Sequence, residues 1–384
     1  MLERFWFGMN VFFKELVASW KAKELLWGFV LAIMVVSLYN SRKVDAENLA
    51  LGPQNTSAIE LWDGKPFTGY SPPTIKQLVG ELSRTSSAGE QNSYWLWLGN
   101  SQLHTINQKK DGDHLAPYWL REELACADCA MPIGVSLPNA NLQEHLLLDR
   151  YIGQHLTVKG VIVPLVFDDL REEGIREELT GFVDAQLEAD LNKFPAGRTI
   201  VQNVKQLAQK GAAVSMNAGS GADDDFQKRL ERALEKGMGQ YFPLWDQRSN
   251  LKAIFAIDLY YARNWLLNIK PTTVRKIIEP RYAHNMEALR GLLMSAQLDQ
   301  REMLVYIAPI RQDLPLPYDI KRYAEWKHEV EALARRYEAR FLNLEKLVPP
   351  GYWGSYHNDD VDFMHFQDAG HRLLAKEILK EISG

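Results

Sequence analysis

The chain has 384 residues, of which 46% are apolar and 24% charged, and its net charge is -5. That length fits one large domain or a domain carrying an insertion, with core enough to need no metal or disulfide staple. The mild acidity, with no long basic run, argues against nucleic acid as the main partner, because phosphate recognition needs concentrated lysine and arginine. A neutral or weakly charged substrate fits better.

Residues 25–41 carry no charge and read as a helix of roughly 25 Å, near the short end of what a bilayer core needs. Lys21 and Lys23 precede it and Arg42 and Lys43 follow it, so flanking charge does not set its orientation. No small-residue cleavage site closes the stretch, which argues against a removable signal peptide. The expectation is a membrane anchor over residues 1–44: a cytoplasmic segment, its aromatic first twenty residues lying along the membrane face, then one span. A buried core helix is the alternative. Everything after about residue 45 is then expected outside the membrane, periplasmic or extracellular.

Residues 45–90 read as a tether. Gly52-Pro53, Pro72-Pro73 and the small polar residues from Arg84 to Gly89 break any period. Leu61, Trp62 and Phe67 are nonetheless too apolar to be left in water. From residue 91 the pattern changes to that of the main domain, 91–384. Apolar runs at 94–98, 131–137, 160–167, 303–308 and 340–344 predict strands, and helical spacing is expected over 142–152, 286–298, 318–340 and 368–382. Strands alternating with helices, and rich in Val, Ile and Leu, predict an α/β three-layer sandwich with a parallel sheet buried on both faces. Residues 170–282 interrupt the rhythm and read as a mainly helical insertion holding the acidic loop Asp223-Asp224-Asp225. The two cysteines, Cys126 and Cys129, are expected to form a small loop disulfide, with two inert thiols as the alternative.

In an open parallel sheet, ligands gather past the C-terminal ends of the strands. Ser101 follows the first predicted strand on the turn Gly99-Asn100-Ser101-Gln102, where a hydroxyl and its own N–H can face one cleft. Taken alone, a serine there is more often a helix cap. Asp362-Phe-Met-His365 precedes the last helix, in a predicted loop, and a separation of three positions lets a carboxylate hold an imidazole. The fold places both pieces at one edge of the sheet. His371, on the last helix, reads as a surface residue, with a supporting place behind the site as the alternative, and Tyr352, Trp353, Tyr356 and His357 as an aromatic loop near the cleft, with core packing as the alternative. No metal-ligand spacing or phosphate loop is present in the sequence, and no cofactor is expected.

The Gly99-Asn100-Ser101-Gln102 turn resembles the first motif of the SGNH (GDSL-like) hydrolases, usually Gly-Asp-Ser, and Asp362-x-x-His365 resembles their last. The resemblance implies a catalytic triad of Ser101, His365 and Asp362. Its usual third-strand asparagine is missing, since that strand ends in Phe167-Asp168-Asp169. The oxyanion hole is therefore expected from Ser101 with Asn139 or Asn141. A single span with an external domain of this kind also resembles proteins that O-acetylate exopolysaccharide or D-alanylate teichoic acid beside a membrane-bound O-acyltransferase. The implied function is acyl transfer, O-acetyl in the first instance, between an acylated donor and a cell-surface polysaccharide through an acyl-serine. Alternatives are an esterase or deacetylase of the same fold, and a non-catalytic scaffold that binds polysaccharide or the membrane acyltransferase.

Overall fold

A computed structural model of the chain describes Gly28 and residues 54–87, 93–124, 129–217, 273–355 and 361–383. The expected span at 25–41, apart from Gly28, lies outside them, as do the acidic loop at 223–225, Tyr356, His357 and Cys126. No helix among the described residues is long and apolar enough to cross a membrane.

The first elements are short: β1 (Asn55–Ser57), β2 (Leu61–Trp62), β3 (Lys65–Pro66) and β4 (Thr68–Gly69), followed by helix α1 (Pro72–Ser87). Next come β5 (Tyr94–Gly99), the one-turn helix α2 (Ser101–His104), β6 (Thr105–Asn107) and α3 (Ala116–Glu123). The chain continues through β7 (Met131–Ser136), α4 (Leu142–His155) and β8 (Val158–Leu165). Two 3-10 turns lead to α5 (Ala185–Leu191) and α6 (Pro195–Asn217), and the next described helix is α7 (Glu279–Leu298). The last elements are β9 (Glu302–Ile307), α8 (Ile320–Arg336), β10 (Arg340–Asn343), β11 (Trp353–Ser355), β12 (Val361–Phe366) and α9 (Asp368–Ile382).

Six strands form one sheet in the order β10-β9-β8-β5-β7-β4, and every neighbouring pair is parallel. The α/β class expected from the sequence is the one observed, and helices cover both faces as a three-layer sandwich requires. The reason is visible in β5. Tyr94, Leu96 and Leu98 point into a core shared with α4, α7 and α8, while Trp95 and Trp97 point into a second core with α3 and α9. A strand apolar on both sides finds no stable place at a solvated surface, so it becomes a central strand. Gly160 of β8 makes room for this arrangement: a Cβ there would stand 2.2 Å from the Trp95 ring.

From β5 the chain moves to β7 on one side of the sheet, then returns to lay β8 on the other side of β5. In open parallel sheets ligands bind past the strand ends at such a reversal, and the Ser101 turn follows the C-terminal end of β5 there.

One expectation is corrected. From residue 54 the segment read as a tether is folded into the body. Phe67, Ile75, Leu78 and Val79 are buried in the first core, β4 adds a sixth strand to the sheet, and β1 pairs antiparallel with β6. The sequence hides this because β4 is two residues long and β1 three, too short for a period of two to register. Within 170–282 the described part is helical, yet Phe182, Leu187, Leu191 and Ile200 share the same core as Leu146 of α4. Cys129 is disulfide-bonded, and the chain's only other cysteine is Cys126.

Candidate active site

The turn after β5 is fixed by Asn100. Its backbone is extended, its Oδ1 accepts the N–H of Gln102 at 3.0 Å, and its Nδ2 donates to Asp169 Oδ2 at 2.7 Å. This cap starts α2 at Ser101, whose N–H, as the first of a helix, has no intrahelical acceptor. Gln102 Nε2 donates to the main-chain oxygens of Pro309 (3.0 Å) and Met364 (2.8 Å).

Asp362 and His365 lie on β12, which pairs antiparallel with β11, and not in the loop expected before α9. The Val-Asp-Phe-Met-His-Phe stretch has no period of two, and Asp362, Phe363, His365 and Phe366 are all buried, so both faces of β12 are covered. Locally, Asp362 Oδ1 accepts the backbone N–H groups of Met364 (2.9 Å) and His365 (3.0 Å), which sets the carboxylate plane. Asp362 Oδ2 lies 3.0 Å from His365 Nδ1, and His365 Nε2 lies 3.0 Å from Ser101 Oγ.

All three residues are buried, Asp362 completely and Ser101 to 6% exposure. Burial pushes the Asp362 carboxyl up, but the neighbouring imidazole, its hydrogen bond and the two backbone donors outweigh that and hold it at about 2. An ionised Asp362 only accepts, so His365 donates from Nδ1 and presents the Nε2 lone pair to the Ser101 hydroxyl. That is the tautomer a general base needs.

No protein-family model matches the chain, and no curated protein does. Among solved structures, one from Streptococcus pneumonia named for platelet activating factor matches with a TM-score of 0.36 and 10% identity, covering 80% of this chain and 92% of that one. At that score the likeness decides nothing about the site.

The other expected site residues are placed elsewhere. Asn141 caps α4: its Oδ1 accepts from Gln143 and Glu144 N–H, and its Nδ2 donates to Gly174 O. Its side chain is thereby committed to structure, and the oxyanion role expected of it is withdrawn. Asn139 is an exposed turn residue with φ of 51°, a conformation asparagine tolerates well, so turn formation accounts for it. Where an asparagine was sought after the third strand, Asp169 stands instead, bonded to Asn100. Burial raises the Asp169 carboxyl to about 8; the bond from Asn100 opposes this, while Glu172 and Glu144 add to it.

His371 is not a surface residue. It is fully buried, accepts the Ala116 N–H at Nδ1 and donates from Nε2 to Thr105 O. Trp353 packs edge-on against Phe366 in the core, while Tyr352 is 40% exposed. Three residues beside the triad escaped the sequence reading: Gln102, Asn55 and Asn107. Each asparagine donates from Nδ2 to Asp362 Oδ2 at 3.0 Å. The only trace of Asn107 in the sequence is its nearness to Ser101; Asn55 left none.

Proposed function

We propose that the chain is a serine-dependent acyl-transfer enzyme of the SGNH type, with Ser101 as nucleophile, His365 as base and then acid, and Asp362 as the group that orients the imidazole. The observation that carries this reading is the unbroken relay Ser101 Oγ–His365 Nε2 and His365 Nδ1–Asp362 Oδ2, both at 3.0 Å, beside the point where the strand order reverses.

In the first half-reaction the Ser101 proton passes to His365 Nε2 as Oγ bonds to the acyl carbon. Collapse of the tetrahedral adduct expels an alkoxide, which takes that proton back as an alcohol. In the second half-reaction an acceptor hydroxyl gives its proton to His365 and attacks the acyl-serine, regenerating Ser101. Ser101's own N–H, free at the start of α2, is one donor to the developing oxyanion.

The acceptor separates a transferase from an esterase. We favour a glycan hydroxyl, on the strength of the expected N-terminal anchor and its resemblance to envelope-polymer modifying proteins. In a turnover assay of the full-length protein in detergent with an activated acetyl ester, added polysaccharide should accelerate ester consumption and carry the label. Turnover that is unchanged by every polysaccharide offered, with free acetate as the sole product, makes the enzyme an esterase.

A further inference from the structure

Asp362 is a charged group with no exposure whatever, and among the described residues no lysine or arginine pairs with it. A buried carboxylate without a cation needs donors, or it takes up a proton instead. Two are backbone N–H groups and one is His365 itself. The remaining two are the side-chain amides of Asn55 and Asn107.

These asparagines come from opposite ends of the folding problem. Asn107 ends β6, just after the Ser101 turn; Asn55 opens β1, in the segment that reads as a tether. The antiparallel register puts them directly across from each other, so both side chains lie on one face and both amides meet the same oxygen. The register is fixed at both ends by Gln108 N–H to Gln54 O and Ala58 N–H to His104 O. Both residues are buried, at 2% and 0% exposure. A Cβ on Gly354 of β11 would stand 1.7 Å from Asn107 Cγ, so the glycine leaves the space that the amide occupies. A pair of apolar residues would fill the site at lower desolvation cost, so core packing alone does not account for two amides aimed at one carboxylate.

We propose that Asn55 and Asn107 are positioning residues, a neutral two-amide clamp that fixes the Asp362 carboxylate and keeps it ionised behind His365; this rests on the serine acyl-transfer reading above. Neutral donors are suited to the task. A lysine or arginine in their place would hold the carboxylate equally well, but its charge would cancel the field that stabilises the imidazolium formed when Ser101 gives up its proton. Amides satisfy the lone pairs and leave the net negative charge in place. The clamp also ties the amino-terminal segment to catalysis, since Asn55 reaches the triad only when β1 is seated on β6.

The test uses full-length protein and two readouts. One is the pH dependence of fluorophosphonate labelling of Ser101; the other is the low-field proton resonance of the His365 Nδ1–H, which needs no substrate. Asn107→Asp and Asn55→Asp keep size and shape but replace a donor with an acceptor 3.0 Å from Asp362 Oδ2, so the two carboxyls must share a proton. The acid limb of labelling should move up by about one pH unit or more, and the resonance should shift or vanish. Gly354→Ala, which changes none of the three triad residues, should displace the Asn107 amide and move the limb in the same direction. Labelling that falls uniformly with pH alongside a lower Tm, or a limb and a resonance both unchanged in all three variants, overturns the clamp. If wild type does not label at all, the acyl-transfer reading fails, and the resonance alone still decides whether the amides hold Asp362.

Discussion

Gln102, one position after Ser101, donates from its side chain to the main-chain oxygen of Met364, one position before His365. A single amide thus fastens the serine turn to the strand that carries His365, and its second hydrogen fastens both to Pro309, just past β9. Gln102→Ala leaves the buried Pro309 carbonyl without this donor, at about 1–3 kcal/mol, and removes the part-buried bond to Met364 as well. The predicted outcome is a folded protein with a lower Tm and Ser101 labelling slowed about tenfold to a hundredfold, because the serine and imidazole lose their fixed spacing. Labelling at the wild-type rate would show that the spacing is set elsewhere.

Three buried histidines make stability pH-dependent. Burial holds His104 and His371 at about 3 and His145 at about 4, so all are neutral in the fold. In the unfolded chain each binds a proton near pH 6.5. Below that pH the unfolded state holds more protons than the native one, and stability falls as pH drops, by about 1.4 kcal/mol per histidine per unit until the folded values are reached. Chemical denaturation between pH 7 and 4 should therefore show a steep loss that starts near 6.5, and His371→Gln should flatten it. A flat profile over that window would contradict neutral burial of these rings.

Asp169 works in the opposite sense. Its folded pKa, about 8, lies above that of a free aspartate, so its contribution to stability is full at low pH and is lost as pH rises through about 8. Asparagine has the shape of the protonated acid and can accept the same bond from Asn100. Asp169→Asn should raise Tm at pH 8, leave it nearly unchanged at pH 4, and preserve labelling of Ser101. A variant less stable than wild type at pH 8 would mean that the carboxyl is ionised in the fold.

Gly160→Ala tests the sheet rather than the site. The new methyl would meet the Trp95 ring at 2.2 Å, and relief requires the indole or β8 to shift. Overpacking of this kind costs about 1–3 kcal/mol. The Tm should fall while labelling of the folded fraction is retained, since Trp95 faces the core shared with α3 and α9 and touches none of the triad residues.

Much of this architecture is readable from residues alone, for identifiable reasons. The strands at 94–98 and 160–167 declare themselves because long apolar runs bounded by turn residues have few other uses. Ser101, Asp362 and His365 are legible because the proposed chemistry demands those residue types, and the alternation of strands and helices brings the two motifs to one edge. What the sequence hides depends on pairing across long separations. Asn55 lies 307 positions from the carboxylate it serves, on a strand of three residues. The Asn141 reading failed for a different reason. Asn141 with Glu144 three positions on is a capping box, a local signal that competes with any catalytic use of the amide. Likewise Asp362 and His365 sit on a strand paired with β11, and with both faces of β12 buried and no period of two, the stretch carries no strand signal that the sequence shows.

Covalent labelling with a fluorophosphonate reads out whether His365 activates Ser101. Full-length wild type should label at Ser101, located by mass spectrometry of the modified peptide. Ser101→Ala should not label, His365→Ala should be slower by about a thousandfold or more, and the double variant should be no worse than either single one. A folded wild type that does not label, or labelling that persists in Ser101→Ala, would contradict the account.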